Sequence, residues 1–129
     1  MFGAQPFGTV PFGAGGPSYP EVRDAIDSAD WAGIEQRLES NPGIVRRIKA
    51  LVRELDSALN EAGLTNAEKA KARALTLAIE ALIESPEPEW KVIARLLMTM
   101  LDSRPVTAAL NAVTIAGLIG AGLKLIGVF

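Results

Sequence analysis

The chain has 129 residues, 13 basic and 15 acidic side chains, a formal net charge of -2, and neither Cys nor His. This length allows one domain with a substantial core. The absence of Cys and His excludes disulfides, thiolate nucleophiles, Cys/His zinc sites and Ser–His or Cys–His catalytic pairs. The weak negative charge argues against a protein that binds the phosphate backbone of nucleic acid, which needs a basic excess.

Residues 1–20 are predicted to form an extended arm without charge. Phe2, Phe7 and Phe12 recur every five residues, and the intervening Gly and Pro disfavour a helix. We interpret these phenylalanines as anchors that bind pockets on a neighbouring subunit, with a merely adhesive tail as the alternative. No Lys or Arg precedes Arg23 and no continuous apolar run is present, so we expect no secretory signal.

Residues 21–104 are predicted to form a bundle of charged amphipathic helices. The first segment, 21–39, contains cap residues at Ser28-Ala29-Asp30 that would allow it to divide into two short helices. The second helix follows Asn41-Pro42-Gly43 and stops at Ala62-Gly63. Its apolar residues follow the helical period and predict one buried face; they are Ile44, Ile48, Leu51, Leu55 and Leu59.

The third predicted helix begins at Thr65, because Thr65 and Glu68 form the pattern of a capping box, and it runs to about Ile83. Ser85-Pro86-Glu87-Pro88 then predicts a break and a new helix start. In this interpretation Ser85 is the N-cap and the nearby acids interact with the positive end of the helix dipole. The fourth helix is expected to close at Arg104-Pro105.

Residues 105–129 are predicted to form an apolar helix in which Lys124 is the only charged side chain. A segment of about 20 apolar residues can span a bilayer or serve as the central helix of a bundle or an assembly. Ala108, Ala112, Ala116 and Gly120 recur every four positions, a spacing that lets two helix backbones approach closely. We interpret them as an intersubunit contact. Packing on the bundle, packing between subunits and insertion in a membrane all remain open at this point.

Charged clusters elsewhere are expected to be solvated surfaces and not chemical sites. Glu84, Glu87 and Glu89 flank a predicted helix start, where carboxylates stabilise the dipole. The basic residues of the second helix lie opposite its apolar face, and no aromatic residue interleaves with them; they are Arg46, Arg47, Lys49 and Arg53. The sequence therefore predicts no catalytic residue, no metal site and no cofactor.

Residues 74–127 contain a helix, a Ser-Pro-x-Pro break, a second helix and an Ala/Gly-rich apolar tail. This order resembles a helical C-terminal module of uncharacterised bacterial proteins, some of which are suspected to act in conflict or defence systems. The resemblance implies an all-helical fold and supplies no catalytic position. The Phe-Gly arm is not part of that pattern.

Together these observations predict an all-α protein: a bundle of four to five helices with an extended N-terminal arm and an apolar C-terminal helix. We expect a non-enzymatic self-assembling subunit, of virion or filament type, that associates with its own copies or with other subunits. The alternative is a small tail-anchored or membrane-disrupting helical protein. We expect no nucleic-acid partner and no small-molecule substrate, and the sequence assigns no compartment.

Overall fold

The computed structural model describes residues 19–128, which form seven α-helices and no strand. The helices are α1 (Tyr19–Ser28), α2 (Trp31–Glu39), α3 (Pro42–Asn60), α4 (Asn66–Ile83), α5 (Trp90–Asp102), α6 (Arg104–Ala108) and α7 (Ala112–Ile126). The all-α prediction is confirmed, although these residues form more helices than the four to five expected. Tyr19 and Pro20, assigned to the arm from the sequence, begin α1, whereas Phe2, Phe7 and Phe12 lie outside the described residues.

The centre of the fold is the contact of α7 with α3 on one side and α5 on the other. α4 packs against α3 and α5, and α6 covers α4. α1 runs antiparallel to α5, since Arg23 pairs with Asp102 while Asp27 lies 3.4 Å from Arg95. The apolar faces of these helices meet in one core, whose fully buried members include Ile48, Leu55, Ile79, Ile93, Leu97, Ile115 and Ile119.

The first predicted segment does divide where its cap residues lie. The side chain of Asp30 accepts a hydrogen bond of 3.2 Å from the backbone N–H of Gly33 and thereby starts α2. Trp31 Nε1 donates to the carbonyl oxygen of Ile26 at 2.7 Å, which ties α2 to the end of α1.

The capping box predicted at the start of α4 is present. The N–H of Thr65 donates to Glu68 Oε1 at 3.0 Å, and the N–H of Glu68 donates to Thr65 Oγ1 at 3.2 Å. The bond from the Thr65 backbone stabilises the ionised carboxylate and lowers the pKa of Glu68 below its ordinary value. α4 therefore begins at a signal contained within four consecutive residues.

The predicted start of α5 at Ser85-Pro86 is wrong, because α5 begins at Trp90. The hydroxyl of Ser85 donates instead to the carbonyl oxygen of Leu82 at 2.8 Å and so closes α4. The reason is Pro88, whose ring disfavours the α conformation for the residue before it and prevents a helix from passing through Glu87.

The expected single tail helix is divided into α6 and α7 by a break at residues 109–111. At the break the N–H of Leu110 donates to the carbonyl oxygen of Ala62 at 3.3 Å, and Asn111 Nδ2 donates to that of Ala58 at 3.2 Å. Carbonyl groups in the last turn of a helix lack partners within that helix. The tail thus interrupts its own helix and supplies hydrogen-bond donors to the end of α3.

Candidate association surface

α7 buries one face entirely within the core of its own chain. Ile115, Ile119, Leu123 and Ile126 on this face are each 0% exposed, and they face α3 and α5. The helix runs antiparallel to α3, because Asn111 at its start contacts Ala58 near the end of α3. The core of the single chain thus largely accounts for the strongly apolar character of the tail.

The four residues predicted as an intersubunit contact do not share one surface. Ala116 and Gly120 are buried in the core of the same chain, and Ala112 is half-buried. Ala108 is exposed but belongs to α6, on the other side of the break. Two of the four small residues therefore face inward, and a contact of α7 with another copy would have to use other side chains.

The outer face of α7 is formed by five residues, Val113, Thr114, Gly117, Ala121 and Lys124. Only Lys124 carries a charge. A Cβ added to Gly117 would meet no atom within 4 Å, so the backbone is open to an approaching group at that turn. We call these five residues, together with Leu110, the α7 outer surface.

The most exposed large hydrophobic side chains among residues 20–128 lie in the break before α7 and in its first turn. Leu110 in the break is 88% exposed, and Val113 in the first turn is 82% exposed. Leu110 lies beside Gly63, whose φ of +72° only glycine adopts easily; a Cβ there would lie 3.1 Å from Leu110 Cδ1. The next residue, Asn111, has a side-chain oxygen, Oδ1, that is buried without a hydrogen-bond partner among the described residues. The signal in the sequence was a tail in which Lys124 is the only charged side chain, whereas the residues chosen from the sequence were Ala108, Ala112, Ala116 and Gly120.

A surface groove of about 560 Å³ runs along the line where α7 packs on α3, next to this surface. Its floor is apolar and its edge carries two cations and one carboxylate. The lining residues are Arg47, Ala50, Leu51, Glu54, Ala121, Lys124 and Leu125. Such a groove suits an uncharged side chain, and an aromatic ring in it would lie close to cationic groups that attract its π face.

The charged clusters named from the sequence lie largely on the exposed surface, and Arg47 also lines the groove. Arg46 and Arg53 lie on the exposed face of α3, and Lys49 Nζ lies 3.4 Å from Glu84 Oε1. Across residues 19–128 no group of three or more acidic residues could hold a metal ion.

Within the part of the chain that the structure describes, no helix combines the length and the apolar character needed to cross a bilayer. α7 has 15 residues, against the roughly 20 that a membrane-spanning helix requires.

Comparisons with protein-family models, with curated proteins and with solved structures find nothing that matches this chain. The function is therefore inferred from the surfaces and the composition of the chain itself.

Proposed function

We propose that this protein is a non-enzymatic, self-assembling structural subunit, of virion or filament type, and that the α7 outer surface and the arm make the contacts between copies. The observation that supports this is the exposure of Leu110 and Val113, at 88% and 82%, beside a helix face with a single charge. A second copy of the chain is the proposed partner.

Exposed apolar area of this kind is unfavourable in water, at about 25 cal/mol for each Å² that could be buried. Soluble monomers rarely keep contiguous apolar patches, and such patches commonly mark interaction sites. Gly117 and Ala121 lie on the same face as Val113, so a neighbouring backbone can approach α7 without steric hindrance. The core is already filled by the opposite face of α7, which leaves the outer face available for association.

The arm is proposed to bind the groove between α3 and α7 of a neighbouring copy. Phe2, Phe7 and Phe12 are large uncharged anchors, and the groove of about 560 Å³ has the size typical of sites for such groups. Arg47 and Lys124 at its edge can interact with an aromatic ring. The contact is heterologous, since the arm of one copy meets the groove of the next, and heterologous contacts can extend into rings or filaments.

The absence of an enzymatic role is part of the proposal and rests on composition. The chain has no His and no Cys, so it lacks the side chain that titrates near neutral pH and the most reactive nucleophile. Glu68, whose pKa is lowered, serves the capping box of α4.

The α7 outer surface can be tested by placing a charge in it. Val113→Lys should shift the assembled protein towards smaller species in sedimentation velocity, because a lysine there would be desolvated at the contact. The matched control is Ala32→Lys, an exposed alanine on α2. Both variants should melt at nearly the same temperature as the unmodified chain. Equal sedimentation of the two variants, or a chain that is monomeric at every concentration, would contradict the proposal.

Vesicles distinguish the membrane alternative in the same experiment. If the chain pellets with phosphatidylglycerol vesicles and forms no polymer without them, the α7 outer surface serves a membrane and the protein fits the membrane-disrupting alternative. If it sediments as a detergent-resistant polymer with or without vesicles, self-assembly is supported.

A further inference from the structure

α4 carries an apolar face where a surface helix normally carries charge. Its inner residues Ala72, Thr76, Ile79 and Ile83 are buried against the rest of the fold. The opposite side is also uncharged and is exposed; it consists of Ala67, Ala70, Ala74, Leu77 and Ala81. Leu77 is 55% exposed at the centre of this set, which we call the α4 outer face.

The residues of the α4 outer face have the spacing by which two helices pack along their length. Ala67, Ala74 and Ala81 are seven residues apart, and so are Ala70 and Leu77, so that the two sets alternate in steps of three and four. This is the heptad pattern of paired helices. Alanine at most of these positions would let the two helix axes come close together, because the interaxial distance depends on the side chains at the contact.

The charges beside the α4 outer face select a partner and an orientation. Lys69 and Arg73 lie on one flank in the N-terminal half of the helix, and Glu80 lies on the same flank in the C-terminal half. Glu84, the C-cap residue, follows at the end of the α4 outer face. A parallel two-fold pair would bring this flank against the opposite flank of the partner helix, so these four charges would not meet one another. An antiparallel pair places Arg73 opposite Glu80 and Lys69 opposite Glu84, twice by symmetry.

These side chains can make such contacts without losing the ones they have. Arg73 Nε lies 3.8 Å from Asp56 Oδ1, but the Arg73 side chain remains 53% exposed. Glu84 lies 3.4 Å from Lys49 and remains 59% exposed. The flank is therefore open to a second set of charges.

We infer that α4 pairs antiparallel with α4 of a second copy, with Ala74 facing Leu77 and Ala70 facing Ala81 across a two-fold axis. This contact goes beyond the proposed function, because it needs neither the arm nor the α7 outer surface. α4 has 18 residues and is about 27 Å long. One helix pair buries less than the roughly 800 Å² per partner of a standard interface, so the contact is weak alone and gains strength within a multivalent assembly.

Disulfide cross-linking tests the pairing and its orientation. The chain has no Cys, so introduced cysteines are the only thiols present. Full-length chains carrying Ala70→Cys are mixed with chains carrying Ala81→Cys, oxidised mildly, and the dimers are identified by mass. The mixed dimer should form at the expense of both like dimers. Like positions lie about 16 Å apart along an antiparallel pair, well beyond the roughly 7 Å that a disulfide allows between Cα atoms.

Like dimers at both positions would mean parallel pairing, and random proportions or no dimer would mean that no specific contact exists; either result overturns the inference. Polymer that persists in the absence of the mixed dimer would leave the α7 outer surface as the contact. An efficient internal disulfide in a chain carrying Phe7→Cys and Ala74→Cys would show that the arm covers the α4 outer face, and would also overturn the inference.

The charge pattern is tested by reversing one residue. Glu80→Lys places a lysine opposite Arg73 at two points of the pair and should reduce the yield of the mixed dimer several-fold at low salt. Glu35→Lys on α2 changes the net charge equally and serves as the control. The difference between the two should shrink as salt is raised, because exposed charges are screened. Equal yields at low salt would overturn the inference.

Discussion

α4 and α7 are both apolar on two sides, yet their positions along the chain are set by different means. α4 begins at a capping box between Thr65 and Glu68, which its own sequence supplies. α7 begins at Ala112, directly after Asn111, whose amide donates to the carbonyl of Ala58 on α3, and it has no side-chain cap of its own. Local chemistry defines α4, whereas contacts with distant residues define α7.

The largest loss of folding stability should come from a substitution on the buried face of α7, because contacts of this face hold the helix in place. Ile119 is 0% exposed, and Ile119→Ala should lower the free energy of unfolding by about 2–5 kcal/mol in urea titrations. Val113→Ala, on the outer face of the same helix, should change it by less than about 0.5 kcal/mol. Similar losses at the two sites would show that the outer face is also buried in the free subunit.

A smaller loss of folding stability should come from adding a larger side chain to the buried face of α7, compared with adding it to the outer face. Ala116 is 7% exposed, and Ala116→Leu should destabilise the subunit by about 1–3 kcal/mol because the core has no room for the larger side chain. Ala121→Leu places the same volume on the outer face and in the groove. It should leave the melting temperature nearly unchanged while altering assembly in sedimentation. Loss of stability at Ala121 alone would reverse our assignment of the two faces.

The smallest change in folding stability should come from protonation of Glu68 at the start of α4 as the pH is lowered. Because the pKa of Glu68 is lowered in the folded chain, its contribution is fully present above the ordinary value of 4.5 and is lost as pH falls through the lower folded value. Glu68→Gln can keep the bond from the Thr65 backbone but cannot titrate. Its unfolding curves between neutral and acid pH should therefore show a slightly weaker pH dependence than those of the unmodified chain. An unchanged acid limb would mean that the box forms equally well with a neutral Glu68.

The elements that could be predicted from sequence are those with a local signal. The division at Asp30, the start of α4 at Thr65 and its end at Ile83 all follow from residues within one or two turns. The start of α5 was missed because two prolines close together compete, and Pro88 overrules the helix start that Pro86 favours. The break before α7 has no local signal, since the carbonyl groups that it contacts belong to Ala58 of α3 and to Ala62 just beyond that helix.

The same distinction between local signals and distant contacts explains why the sequence did not identify the α7 outer surface. The sequence correctly indicated a tail rich in small residues, but periodicity alone could not say which side of that helix would face the core. Ala116 and Gly120 fit against the interior because small residues let α7 lie close to its neighbours within the subunit. Leu110 and Val113 could be recognised only once the break had turned them outward.

The central place of α7 has a consequence for the order in which the protein folds during synthesis. α3 ends at Asn60 and α7 begins at Ala112, so the partner that covers α3 leaves the ribosome after all the other described helices. Contacts between segments so distant in the chain form slowly. Until then the nascent chain exposes the parts of α3 and α5 that α7 later covers, and exposed hydrophobic surface of this kind favours aggregation.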